Sequence, residues 1–387
     1  MMINRLTAAQ QSKYDEFKDF VREMVCPDTA AWEASQCMPR EILRVCGERG
    51  FIGGLLPSGY GGGDWDTVTF GLLNEAFGSA SASLTGFFTV QSMVAMSLLK
   101  WGTAAQCHKW LPAISAGEAI ASFALTEPEG GSNIRFLNTS FTPFNGGFLL
   151  NGKKKWITFS GYADVLLVFG QLQGEQPIAC LVEKDTPGLT IIPVTGMMGF
   201  RASHLSEITF DNCFVPLENM VAKPGFGISC VANQGLHYGR ISTACSAAGL
   251  FRSCLEESVQ FSRRRMAKGS PVANIGEIRS QIARMATRLE AVQLMCWHAC
   301  SLEDMQHPDA IHTTLMAKLT ASVDAVWAAS QAVLIHGAAG CHEDSPVSRC
   351  YRDAKIMEII EGTTQVCENI VADTVLKNLS PKQPVYE

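Results

Sequence analysis

All the strand-like sequence in this chain falls in one uninterrupted block, from about residue 119 to residue 232, with helix-like sequence on both sides. Inside the block, short apolar runs ("GGFLLNG", "ADVLLVFGQ", "IACLVEKD", "LTIIPV", "SEITFDNCFVP") are separated by Gly, Pro, Asn and Asp, the pattern of an antiparallel β domain. Strands gathered in a block, instead of alternating with helices, disfavour a Rossmann nucleotide fold. The expectation is an α+β chain with helical residues 1–118, a β domain over 119–232 and helical residues 233–387. Asn151-Gly152 reads as a hairpin turn within the β domain.

The flanking blocks carry helical periodicity. "SKYDEFKDFVREMV" sets Tyr14, Phe17, Phe20, Val21 and Met24 at helical spacing. "SLTGFFTVQSMVAMSLLKWG" is apolar nearly all round and ends on glycine, as a fully buried helix does. Farther on, Ile275, Ile278, Ile282, Met285, Leu289 and Val292 recur every three or four residues, which predicts a bundle seam. The tail "NLSPKQPVYE" is polar and expected to be loose.

Bulk properties narrow the function classes. A chain of 387 residues is too long for one core of ordinary size. Its 18% charged residues fall below the roughly 25% usual for soluble domains, which suggests surface buried between subunits. A formal net charge of −6 argues against a non-specific nucleic-acid binder. No apolar run reaches the ~18 residues of a membrane span. The first residues have neither a signal-peptide core nor a transit-peptide composition, so a cytoplasmic setting is expected. The 14 cysteines are scattered without a Cys-x-x-Cys pair. Even in Cys296-x-His298-x-Cys300 the histidine points away from the two thiols on a helix, so buried free thiols and no metal site are expected.

Three segments carry chemistry. "FALTEPEGGSNI" (123–134) is strand-like, then turns at Gly130, Gly131 and Ser132. Such a turn is either plain or a cradle in which backbone N–H groups meet an anion. "NGKKKWITFSG" (151–161) puts Trp156 and Thr158 on one strand face by alternation. They are either an ordinary sheet face or a platform for an aromatic heterocycle, with the ring stacked and a ring atom hydrogen-bonded. "IMEIIEGTTQV" (356–366) ends an apolar segment on Glu361 followed by Gly362. That glutamate is either solvated at a helix end or a desolvated base whose pKa is raised by apolar neighbours, with Met357, Ile359 and Ile360 the candidates.

In this order, "ALTEPEGGS", "KKWIT" and "RDAKIMEIIEGTTQV" resemble the acyl-CoA dehydrogenase family of flavoenzymes. "GLLPSGYGG" (54–62), "GFRASHLSEITFDNCFVP" (199–216) and "HYGRISTACSAAGL" (237–250) extend the resemblance over nearly the whole chain. It implies a helical N-terminal domain, a middle antiparallel β-barrel and a C-terminal four-helix bundle, with FAD as cofactor. By motif position, Phe123, Leu125, Thr126 and Ser132 would lie along the flavin and its pyrophosphate. Trp156 and Thr158 would cover the ring and bond near N5, and Thr363 would face the FAD side of the turn. Glu361 matches the base that takes the proton α to a thioester, and Arg240 an arginine that orients that carboxylate or its turn. Arg265 matches an arginine that reaches a neighbouring subunit's FAD, which implies a homodimer or homotetramer.

Departures from the family pattern cluster at that cross-subunit contact. Lys268 stands where a Phe is usual, and Leu334 and Ala338 replace the Gln and second Gly of Gln-x-x-Gly-Gly. Asn133 replaces the aspartate usual after "GGS". Gln91, Ser92, Met93 and Met96 match the inner acyl pocket; the methionines are either pocket filler or core, and their bulk favours a short acyl chain. The sequence looks most like the branch from hybrid polyketide/nonribosomal-peptide clusters, which oxidises acyl groups tethered to a carrier protein in making hydroxymalonyl- or aminomalonyl-type units. That resemblance implies a glyceryl- or seryl-type thioester, oxidised with electron-transfer flavoprotein or dioxygen as acceptor. A short-chain acyl-CoA dehydrogenase of catabolism and a non-catalytic assembly protein of the same fold are the alternatives. Lys153, Lys154 and Arg135 are the candidates for steering an acidic carrier protein to the pocket mouth.

Overall fold

The computed structural model describes residues 6–134, 136–174 and 176–379. Arg135 and most of the C-terminal tail therefore lie outside the described residues. Helix α1 (Ala8–Phe20) starts at a capping box in which Thr7 accepts from the Gln10 N–H and the Gln10 side chain accepts from Thr7 N–H. It continues into a π-turn, Val21–Val25. The extra residue in that turn shifts the register, so Val25 takes the buried place and Met24 is left exposed, contrary to the α-helical spacing. Helices α2 (Thr29–Ser35), α3 (Arg40–Glu48), α4 (Thr67–Gly78), α5 (Ala82–Trp101) and α6 (Ala104–Ser115) complete the first unit. By composition α5 is apolar enough to cross a membrane, but 89% of that stretch is buried in the protein, which makes it a core helix.

The β domain holds β1 (Ala121–Ala124), β2 (Ser140–Phe144), β3 (Gly147–Ile157), β4 (Val165–Leu172), β5 (Gln176–Glu183), β6 (Leu189–Pro193), β7 (Ser206–Pro216) and β8 (Met220–Val221). Pairing follows β6-β7-β3-β2-β4-β5-β8, with β1 also on β4. It is antiparallel except that β1 and β2 both run parallel to β4, because the chain crosses over before entering β4. The sheet curls round an inner core that includes Phe141, Phe148, Leu150, Ile178, Phe210 and Val215, and β5 packs against β7 across it. In β4, Leu166 and Val168 enter this core while Val165, Leu167 and Phe169 face the helices, which explains its unbroken apolar run. The β2–β3 hairpin turns at Asn145 (φ +44°) and Gly146 (φ +80°). Asn151-Gly152, the expected turn, instead sits at a bulge inside β3. A Cβ on Gly152 would stand 2.7 Å from the Thr139 Cα.

Helix α7 (Asn233–Arg264) leaves the β domain, and a small hairpin, β9 (Met266–Ala267) with β10 (Ser270–Pro271), leads to α8 (Gly276–Asp304). Helices α9 (Ala310–His336), α10 (Pro346–Met357) and α11 (Thr364–Leu379) follow. In the α8 seam Met285, Leu289 and Val292 are buried, Ile278 and Ile282 are half-buried, and Ile275 precedes the helix and is exposed. Buried Glu75 on α4 ties the helical units together. It accepts from Tyr14 (2.9 Å), Trp297 (3.2 Å), Gln293 and Arg252. The β domain is fastened to α10 where the Phe200 N–H donates to buried Asp353 at 2.8 Å.

Candidate active site

The α10–α11 connection carries Glu361 in the left-handed region (φ +56°), followed by Gly362 at φ +102°. A non-glycine residue held there costs about 1–2 kcal/mol, so the surroundings must impose the conformation. They do so through carbonyls. Arg240 Nε donates to Glu361 O (3.0 Å), and Lys318 Nζ donates to Gly362 O (2.6 Å) and Glu358 O (3.4 Å). The Thr364 N–H closes the turn onto Glu358 O at 3.0 Å. Thr363 Oγ1 accepts from the Val366 N–H (3.3 Å) and so caps α11.

With the backbone held on that side, the carboxylate points the other way, against α7 and α5. A Cβ placed on Gly239 would lie 2.5 Å from Glu361 Oε2 and 3.0 Å from Met93 Sδ. Oε2 is buried without a hydrogen-bond partner among the described residues. Burial pushes the carboxyl up to about 7, and the charges of Arg240 and Lys318 hold it from going higher. The apolar setting differs from the expected one: Met357 is fully buried, but Ile359 is half-exposed, and buried Met93 of α5 approaches Gly239 beside the carboxylate.

Of the expected acyl-pocket residues, Met93 approaches Gly239 as Glu361 does, and Met96 packs at the edge of the core. Gln91 does not line the pocket as an open polar group. It spans to β1, donating to Ala121 O (2.8 Å) and accepting from Ala121 N–H (2.9 Å). Ser92 donates back to Thr89 O at 2.8 Å. Both are consumed by the fold.

The expected cofactor groove meets the carboxylate along α7. A Cβ on Gly235 would touch the Phe123 ring at 2.5 Å. Gly235 and Gly239 lie one turn apart on the same helix face, about 6 Å along the axis. Phe123 and Glu361 are thus brought to neighbouring positions by two missing side chains. Phe123 and Leu125 are buried, Thr126 is half-buried and Ser132 is exposed.

Trp156 and Thr158 do not alternate along β3 as expected. The register slips between Lys154 and Ile157, Trp156 takes φ +62° and is 46% exposed, while Thr158 lies just past the strand. Ser122 Oγ donates to Thr158 O at 2.9 Å, and the Thr158 hydroxyl makes no hydrogen bond among the described residues. A half-open indole in a strained conformation, a free hydroxyl and a Gly130-Gly131-Ser132 turn with open space at Gly130 fit an aromatic cofactor bearing phosphates.

The lysines sort differently from expectation. Lys154 is fully buried, donating to Leu125 O (2.9 Å) and pairing with buried Glu127 at 2.8 Å, so it cannot steer a partner. Glu127 also accepts from the Asn138 and Thr139 N–H groups (2.6 and 2.9 Å). Burial pushes Lys154 down to about 8, against the pull of Glu127. Lys153 is exposed, and Lys155 pairs with Glu207 at 3.2 Å.

Arg265 stands at the far end of α7 from Arg240, about 38 Å along the axis. It is exposed with Lys268, Leu334 and Ala338. None of them joins the site of its own chain. Sequence reasoning missed Gly239 and Lys318. A lone lysine in the small, apolar stretch "LMAKLTASV" was the available signal for the latter. His298 faces outward, and no cluster among the described residues has a metal-binding arrangement.

Three family models, for the N-terminal, middle and C-terminal domains of acyl-CoA dehydrogenase, match residues 7–118, 122–213 and 225–376. An acyl-CoA dehydrogenase of Bacillus subtilis (strain 168) is 35% identical over 93% of this chain and 96% of its own. The structure of butyryl-CoA dehydrogenase from Megasphaera elsdenii superposes with a TM-score of 0.93 at 29% identity, covering 97% of this chain and 100% of that one. The prolyl acyl carrier protein oxidase AnaB superposes at 0.91 with 25% identity, covering 96% and 100%.

Proposed function

The chain belongs to the acyl-CoA dehydrogenase family, FAD-dependent oxidoreductases acting on the CH–CH bond of acyl thioesters, and on that premise we propose that Glu361 is the base for α,β-dehydrogenation of a short acyl group. The observation that carries this is the Glu361 carboxylate itself, its Oε2 buried without a partner among the described residues and facing Gly239, which Met93 also approaches. When bound, FAD supplies the acceptor for the hydride that leaves the β carbon. Glu361 takes the α proton, the two electrons of the β C–H bond leave with the hydride, and the Cα–Cβ bond becomes double. A carboxylate pushed up to about 7 keeps an appreciable ionised fraction near neutral pH while remaining basic enough for a weakly acidic C–H. Arg240 holds the turn from its carbonyl side and leaves the carboxylate free. Phe123, Leu125, Thr126, Ser132, Trp156, Thr158 and Thr363 would hold the cofactor. Arg265 would serve the site of a second copy in a homodimer or homotetramer.

The bulk of buried Met93, which approaches Gly239 beside the carboxylate, favours a short acyl chain. For the tether we propose an acidic carrier protein, supported by the likeness to the prolyl acyl carrier protein oxidase. A three-carbon β-hydroxylated acyl group would give an enol that tautomerises to an aldehyde, so the same dehydrogenation would emerge as alcohol oxidation with no further catalytic residue. Since Gln91 and Ser92 are tied to the backbone, the hydroxyl would draw no discrimination from them. That favours a second reading, short-chain acyl-CoA oxidation, supported by the likeness to butyryl-CoA dehydrogenase. Reoxidation would fall to an electron-transfer flavoprotein or dioxygen.

The test presents glyceryl, seryl, propionyl and butyryl groups on CoA and on a carrier protein, and follows anaerobic bleaching of the bound FAD. Faster bleaching by the hydroxylated, carrier-bound substrates supports the tethered reading. Equal or better kcat/KM with butyryl-CoA overturns it in favour of the second.

A further inference from the structure

Lys318 is fully buried on α9, yet among the described residues no carboxylate accepts from its ammonium. Its acceptors are two carbonyls of the turn that carries Glu361, those of Gly362 (2.6 Å) and Glu358 (3.4 Å). A buried charge needs compensation, and carbonyl dipoles supply only part of it. Cys367 from α11 also donates its S–H to Gly362 O (3.5 Å), so that oxygen is the point where α9 and α11 grip the turn. Arg240 approaches the same turn from α7 at the preceding carbonyl. Two cations thus flank one buried carboxylate, each holding the peptide next to it and neither bonded to the carboxylate itself.

The charged and titratable groups facing this turn are Arg240 from α7, Lys318 from α9, Cys367 from α11 and Glu358 within the turn, which pairs with Lys355 of α10. Helix α5 presents Met93. Glu358 is already neutralised by Lys355, so the anion left to answer Lys318 is Glu361.

We propose that Lys318 is a positioning residue for the reaction: it locks the Glu361–Gly362 turn in its left-handed conformation and, by its charge, keeps Glu361 ionisable inside an apolar site. It touches neither substrate nor cofactor and acts only through Glu361. The inference rests on Glu361 being the base, so its test has one arm that does not need turnover.

The first arm measures kcat/KM of the FAD-loaded Lys318→Met enzyme against pH. Loss of a nearby opposite charge moves the acid limb upward by about one pH unit or more, so activity falls roughly tenfold below the limb and recovers toward high pH. A merely structural lysine would lower activity by the same factor at every pH, with the limb left in place, and that result overturns the proposal. Lys318→Gln, which keeps a donor without the charge, gives the same shift with smaller loss of folded protein and substitutes where the Met variant fails to fold.

The second arm is a stability double-mutant cycle of Lys318→Met with Glu361→Gln. At pH 8, Lys318→Met lowers the melting temperature more in the parent than in the Glu361→Gln background, because only the parent carries the carboxylate charge. At pH 5.5, with Glu361 protonated, the two losses converge. Equal coupling at both pH values would contradict a charge link whatever the catalytic role of Glu361. A pH-dependent coupling with no shift of the kinetic limb would keep the charge link and reject Glu361 as the base.

Discussion

The carboxylate of Glu361 occupies the space that a side chain at Gly239 would fill: a Cβ there would lie 2.5 Å from Oε2. Gly239→Ala therefore displaces the carboxylate without adding a charge or removing a hydrogen bond. The expected outcome is retained FAD and melting temperature with kcat reduced by about 10²-fold, the scale of an ångström-sized misplacement. Steady-state kinetics beside flavin absorbance checks it.

The raised pKa of Glu361 predicts a pH signature in stability as well as in rate. The folded protein holds the proton up to about 7, against an ordinary carboxyl value of 4.5. The associated stability is fully present below the unfolded value and is lost as pH rises through about 7, on the order of 2–4 kcal/mol in total. Between pH 5 and pH 8 the parent should lose melting temperature relative to Glu361→Gln, which has no proton to release there. Meanwhile kcat/KM should fall as pH drops through about 7. Melts and pH–rate profiles on the same two proteins test both signs.

Lys154 and Lys153 should behave oppositely. Lys154→Met leaves Glu127 buried without its counter-charge and frees Leu125 O, so it should cost about 3–5 kcal/mol. Exposed Lys153→Ala should stay within about 0.5 kcal/mol of the parent. Urea midpoints distinguish them. If a carrier protein docks near this edge, only Lys153→Ala weakens it and reduces the salt dependence of kcat/KM.

Trp156 carries strain that the chain alone does not need. Its φ of +62° disfavours any residue but glycine, and its ring is half-exposed. Trp156→Gly should hold or raise the unfolding free energy of the cofactor-free protein, by up to about 1 kcal/mol, while FAD is lost on dilution far more readily. A fall in stability without loss of FAD affinity would place the ring in the fold and not in the cofactor site.

Much of this architecture is legible because blocks of helical and strand periodicity are long. Local geometry is not. Two Asn-Gly pairs compete in "FNGGFLLNG", and only the first has two positive φ angles to turn a hairpin; the second is a bulge set by close approach to Thr139. The π-turn at Val21–Val25 moves burial from Met24 to Val25, a slip that no 3.6-residue pattern contains. Within "KKK", alternation does separate Lys154 from Lys153 and Lys155, but only the distant Glu127 shows which face is inside. Glu361 stands out through the motif that carries it and not through its apolar flanks, since Ile359 is exposed and the methionine near it comes from α5. Lys318 does not stand out, because its acceptors are carbonyls more than a helix away, and backbone carbonyls leave no mark in a sequence.

The central claim, that Glu361 removes the α proton, is tested most directly by anaerobic single-turnover reduction of the bound FAD in Glu361→Gln with a short acyl thioester. The substitution keeps the shape of the side chain and takes away only the base. The account predicts unchanged FAD content and fold with the reduction rate down by 10²–10⁴-fold, roughly the worth of a positioned general base. Near-normal bleaching by the variant would contradict it and assign proton removal to another group.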